Sequence, residues 1–185
     1  MRIITFARNF PSHMDNAGEP TYFVEKIIKQ QGYDFETVGY YAMLRRLNPE
    51  RTIRELDTFL ASLDSNIEGE KLHTIRKGYN WKGGEMFQPK CWSGLPYRTP
   101  QIKFIPDIEI KWTSMFDIDD SGAKIEWNKI FHETLSRVAM NDGLTYQQFL
   151  AWFKFPQSFA GQIICWSKKV NYKPKHTIYY GPQQS

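Results

Sequence analysis

Between Gly69 and Phe87 the chain is punctuated by glycines at 69, 78, 83 and 84, which leaves room for one short strand over 72–77 held between two turns. Successive side chains of a strand alternate between its faces, so Leu72, Thr74 and Arg76 share one side and His73 and Ile75 the other. That sets a hydroxyl beside a guanidinium. Lys71 joins this pair only where the backbone at Gly69, Glu70 and Lys71 is still turning, which Gly69 permits. The stretch therefore predicts a Lys-x-x-Thr-x-Arg group around which the rest of the chain serves as scaffold.

The same residues, Gly69, Lys71, Thr74 and Arg76, resemble the G-x-K-x-x-T-x-R signature of ASCH domains in the PUA-like superfamily. Far downstream, Asp142, Gly143 and Leu144 resemble the acidic E-G-F-like turn that faces the Lys/Thr pair in that family, with Asp where Glu is usual. The order of elements from 3–6 through 161–166 also agrees. The resemblance implies an α+β fold, a PUA-like β-barrel of about five or six strands decorated with helices. It covers 1–180 as a single domain, with a partly helical insertion at 31–68 before the signature strand. It also implies catalytic roles for Lys71, Thr74 and Asp142, because the family's characterised amidohydrolases remove the acyl group from N4-acetylcytidine.

The residue types suit that chemistry. Threonine supplies a hydroxyl nucleophile, a desolvated lysine can take its proton, and a carboxylate can orient the amine or the substrate. Arg76 would hold charge developing on a carbonyl oxygen or contact a phosphate. The loop 91–100 adds Trp92, Tyr97 and Arg98, an interleaving of aromatics and cations suited to stacking a base and meeting a phosphate.

A formal charge of +4, concentrated at positions such as Lys71, Arg76, Lys90, Arg98 and Lys103, suits an anionic partner such as RNA without requiring one. Hydrophobic residues make up 41% of the chain and aromatics 16%, enough for a substantial core. Cys91 and Cys165 are too few and too isolated for a disulfide framework or a thiolate zinc site, and the chain reads as cytoplasmic. Nothing approaches the roughly 20 apolar residues of a membrane span. Arg8 and Asn9 interrupt the apolar start too soon for a signal peptide. The histidines at 13, 73, 132 and 176 show no metal-ligand spacing, so neither a metal nor a cofactor is expected.

Local patterns place the remaining elements. A first strand is expected at 2–7, and a helix from Tyr22 capped by Thr21. The segment 31–47 reads as an inserted, partly irregular stretch. A helix over 49–63 is predicted with Asn48 as its cap and Pro49 at its first position. A strand should end at Pro89, and another should run over 101–117, bent at Pro106 and continuing through 113–118. Helices follow at 126–140 and at 146–155, the latter capped by Thr145 and stopped by Pro156. A buried strand at 162–166 precedes a tail with an irregular strand at 177–180 and a frayed end at 181–185.

The leading reading is a protein that recognises RNA or a modified nucleoside in a cationic cleft and carries amidohydrolase chemistry. Two others stay open: a non-catalytic module binding single-stranded nucleic acid, and a protein-interaction adaptor using 31–68. The oligomeric state is open as well.

Overall fold

The computed structural model describes residues 2–35, 39–155 and 157–172. Among these, the first half forms β1 (Arg2–Phe6), α1 (Phe23–Gln30), α2 (Tyr40–Leu47), α3 (Ile53–Asn66), β2 (His73–Lys77), β3 (Met86–Trp92) and β4 (Gln101–Lys103). The second half adds β5 (Ile108–Glu109), β6 (Trp112–Asp119), β7 (Gly122–Ile125), β8 (Asn128–Ile130), α4 (His132–Asn141), α5 (Tyr146–Trp152) and β9 (Phe159–Cys165). The arrangement is α+β, with strands divided between two sheets. In the first, β1 runs parallel to β3, which also carries β4 and β5 antiparallel. The second is antiparallel throughout, in the order β2-β9-β6-β7-β8.

The sheets meet along one side only. Where the chain passes from β5 to β6, the Ile110 N–H donates to Glu85 O at 2.9 Å and the next residue, Lys111, donates to Cys165 O at 2.8 Å. One polypeptide run thus bonds first into one sheet and then into the other. On the opposite side β1 and β2 are both edge strands and do not pair with each other. Arg76 spans that gap, its Nη2 donating to Thr5 O at 2.5 Å. Between the sheets Phe6 packs edge-on against Phe104 and Trp166, with ring centroids 6.1 and 5.9 Å apart. Each such pair adds about 0.5–1.5 kcal/mol beyond the area it buries.

The helices depart from the sequence expectations in ways local chemistry explains. Segment 31–47, expected to be partly irregular, contains α2, whose buried Tyr40, Met43 and Leu44 fall at helical spacing. It is fastened to the body by the Tyr40 hydroxyl, which donates to Glu25 of α1, and by Met43 Sδ, 3.4 Å from Cys91 Sγ of β3. The next helix starts at Ile53 rather than Pro49, because Thr52 and Glu55 form a reciprocal capping box. Asn48 instead closes α2, its side chain donating to Leu44 O at 2.9 Å. In α1 the expected cap, Thr21, sits one residue before the N-cap Tyr22, yet its hydroxyl accepts from the Phe23 N–H at 3.3 Å.

Three further expectations, two of strands and one of a helix, change as well. β3 continues through Pro89, which falls where its antiparallel partner is interrupted between β4 and β5. The single strand expected over 101–117 is divided into β4, β5 and β6. The first part of the expected 126–140 helix is a hairpin instead. Glu126 and Trp127 adopt φ of 48° and 67° as the two-residue turn between β7 and β8, and only 132–141 is helical. Phe131, placed by periodicity on the buried stripe, is exposed.

Helix α5 begins with the expected Thr145–Gln148 capping box but ends at Trp152. Pro156, the tail strand at 177–180 and the frayed end at 181–185 lie outside the described residues. Among the described residues no helix is long and apolar enough to cross a membrane.

Candidate functional site

Where β1 and β2 part, a cavity of about 740 Å³ opens, within the size range of small-molecule sites. Lys71, Thr74, Arg76 and Asp142 all line it, as do Trp92 and Tyr97. Arg98 is exposed on the same loop and stands outside the lining.

Lys71 precedes β2 rather than belonging to it, and Gly69 with φ of 75° supplies the turn that aims its side chain toward Thr74's side of the strand. The acidic partner arrives from the α4–α5 connection. Asp142 caps α4, Gly143 N–H bonds to Met140 O at 3.0 Å and Leu144 N–H to Ala139 O at 3.0 Å, the two bonds of a Schellman motif. Gly143 holds the left-handed conformation this motif needs, with φ of 81°. A Cβ there would also sit 3.4 Å from the Lys71 Cβ. The turn is joined to the strand's approach by Leu72 N–H, which donates to Asn141 O at 2.7 Å, and to α1 by Lys26, which donates to Gly143 O at 2.8 Å.

Asp142 is buried. Lys71 Nζ donates to Asp142 Oδ1 at 2.8 Å and to the Asp142 backbone oxygen at 2.6 Å, and its other face lies 3.8 Å from the Phe23 ring. Burial draws the Lys71 amine down to about 8, against the Asp142 carboxylate, which favours the ammonium, while Arg76 and Lys26 add to the lowering. Burial alone would raise the Asp142 carboxyl, but Lys71 and His73 outweigh it and hold it below the usual carboxylate value. Burial likewise lowers Arg76, and its Nε has no hydrogen-bond partner among the described residues.

Thr74 is 5% exposed, and among the described residues its hydroxyl forms no side-chain hydrogen bond. Thr5, Phe6 and Arg8 of the β1 side and Trp152 of α5 add to the walls, with Trp92 at the end of β3 and Tyr97 on the loop after it stacked obliquely, ring centroids 5.2 Å apart. Tyr97 is 91% exposed and adopts φ of 62°, so its ring stands at the mouth of the cavity.

Sequence reasoning missed Arg8, Phe23 and Trp152 as walls, because each comes from an element whose packing partner lies far along the chain. It also left His73 without a specific partner. His73 is fully buried, with Nε2 2.9 Å from the Tyr172 hydroxyl and Nδ1 3.6 Å from Asp142 Oδ1. No group of three or more His, Cys, Asp and Glu side chains among the described residues could hold a metal ion. Comparison with known proteins found no matching family model, no matching curated protein and no matching solved structure.

Proposed function

We propose that this chain is an ASCH-like protein of PUA-like architecture that takes a modified nucleoside, free or within RNA, into the cavity between β1 and β2 and hydrolyses an N-acyl amide of the cytidine type. The observation that carries this reading is the Lys71–Asp142 pair, buried on the same cavity wall as the Thr74 hydroxyl.

A threonine hydroxyl needs a base, and a lysine serves only when neutral. Lys71 is drawn toward that form by burial. A neutral amine has two N–H bonds, and the two hydrogen bonds to Asp142 employ both, leaving its lone pair to take a proton. In the proposed reaction Thr74 Oγ bonds to the acyl carbon as its proton passes to Lys71. The resulting ammonium returns that proton to the departing cytosine nitrogen as the amide bond breaks. Water, deprotonated by the same amine, then releases the acyl group as a carboxylic acid and restores the threonine.

Arg76, with its guanidinium on the cavity wall, supplies positive charge for the tetrahedral oxyanion or for a phosphate. Trp92 and Tyr97 offer aromatic surface for the base. The direct test is mass spectrometry of the protein after brief incubation with N4-acetylcytidine. One acetyl group on Thr74, absent from Thr74→Val, supports the reading, and acetylation elsewhere or none at all overturns the nucleophile assignment.

The exposure of Tyr97 favours one alternative, a non-catalytic module that stacks single-stranded nucleic acid on the rim. RNA binding that weakens in Tyr97→Ala, with no turnover by the wild type, selects it.

A further inference from the structure

The proposed mechanism uses Lys71, Thr74 and Asp142 but leaves a second buried chain of polar groups unexplained. Asn141 Nδ2 donates to the Tyr172 hydroxyl oxygen at 2.7 Å. Tyr172 therefore has its own O–H proton to give, and the acceptor 2.9 Å away is His73 Nε2. An imidazole that accepts at Nε2 and is neutral carries its proton on Nδ1. That atom is fully enclosed, has no hydrogen-bond partner within normal reach, and lies 3.6 Å from Asp142 Oδ1, the oxygen that also accepts from Lys71.

We propose that His73 and Tyr172 are positioning residues for Asp142: the Tyr172 hydroxyl fixes the neutral Nδ1–H tautomer of His73, and that N–H faces the Asp142 carboxylate from the side opposite the cavity. The proposal rests on reading Lys71 and Asp142 as the reactive pair, but its first test needs no turnover. The geometry implies three consequences. The carboxylate is bonded to the amine on one side and faced by an imidazole N–H at 3.6 Å on the other, which opposes its swinging toward a bound substrate. It stays ionised. Part of its charge is also directed away from Lys71, which lessens its preference for the ammonium form and so favours the neutral amine that Thr74 requires.

The other charged groups facing Asp142 are Arg76 from β2 and Lys26 from α1, both cations, and Tyr172 approaches from the segment after β9. With Lys71 and these cations already beside Asp142, a protonated His73 would add a further buried positive charge, and burial holds His73 below its ordinary value. Neutral His73 is thus the form that persists through the physiological range. Its partner is a residue 99 positions away, which is why the strand pattern around Thr74 carries no sign of it.

The experiment is nitrogen-15 NMR of histidine side chains in the intact protein, with His73→Gln to assign the resonance and tautomers read from the ring-nitrogen shifts between about pH 7 and about pH 9. The expected result is a single neutral Nδ1–H tautomer for His73 across the range, lost in Tyr172→Phe, which keeps the ring but removes the donor. A wild-type His73 protonated at Nε2, or one still cationic at about pH 7, overturns the proposal, as does an unchanged tautomer in Tyr172→Phe. The second readout is the pH profile of N4-acetylcytidine hydrolysis. Tyr172→Phe should move the midpoint of its rise to higher pH with little change in the high-pH plateau, and an unmoved midpoint counts against the positioning role. If the wild type does not hydrolyse the nucleoside, the NMR result still decides the tautomer while the hydrolase reading falls separately.

Discussion

Lys71 and Asp142, 71 positions apart in sequence, meet at 2.8 Å with both side chains almost entirely out of water. A buried ion pair contributes little net stability, because desolvating two charges offsets most of their attraction, but removing one partner strands the other. The value of this pair lies in what it does to the amine on the cavity wall.

Asp142→Asn should destabilise the protein by about 3–5 kcal/mol near neutral pH, measured by urea denaturation. The sign of its pH dependence follows from Lys71. Its folded-state value, about 8, lies below the ordinary 10.5, so between those values the unfolded chain binds more protons and stability from this group rises with pH. The deficit of Asp142→Asn, in which Lys71 loses the carboxylate that favours its ammonium, should therefore shrink as pH rises toward about 8 and stay level above it, where Lys71 is neutral in wild type too. A deficit that grows with pH contradicts this account of the pair.

Asp142→Glu, which restores the residue usual in the family the signature resembles, should cost about 1–3 kcal/mol. The aspartate already reaches Lys71, and an added methylene must fit a space closed by Lys71, His73 and Gly143. An unchanged thermal midpoint would show that the site has slack.

Gly161→Ala should be among the most damaging single changes in the second sheet. A Cβ at that position would stand 2.3 Å from the Arg76 carbonyl oxygen, and both atoms belong to paired backbones that cannot yield separately. Loss of at least about 3 kcal/mol, or failure to fold, is expected from overpacking of this kind, with circular dichroism and denaturation as the readout.

Tyr40→Phe should cost about 1–3 kcal/mol, because it leaves the Glu25 carboxyl, raised by its burial, without the hydroxyl that donates to it. The loss should be larger at neutral than at acid pH, since protonation relieves the buried charge. A pH-independent loss would assign the effect to packing alone.

Much of this was legible from the sequence. The glycines around 69–84 and strand alternation placed Thr74 and Arg76 on one wall and allowed Lys71 to turn onto it, and the Asp142-Gly143-Leu144 turn supplied the carboxylate. The Thr145 capping box also follows from local pattern, and so does the buried strand expected at 162–166, which begins three residues earlier as β9. The misses have a common origin. Pro49, Pro89 and the 126–140 periodicity were read as local signals, and each was overridden by a competing interaction: a better cap at Thr52, a gap in the partner strand, and a hairpin turn fixed by Glu126, whose side chain accepts from Met115 N–H at 2.9 Å. His73 and Tyr172 meet only because β2 and the chain after β9 lie together, a relationship no spacing encodes.

The central claim is that Thr74 acts as a nucleophile served by a neutral Lys71, and the most direct measurement is cytidine release from N4-acetylcytidine across pH by wild type, Thr74→Val and Lys71→Ala. The account predicts wild-type turnover that rises through a midpoint near Lys71's value of about 8, and no turnover above background in either variant at any pH. Turnover surviving in Thr74→Val, or a folded wild type that releases no cytidine anywhere in the range, contradicts it.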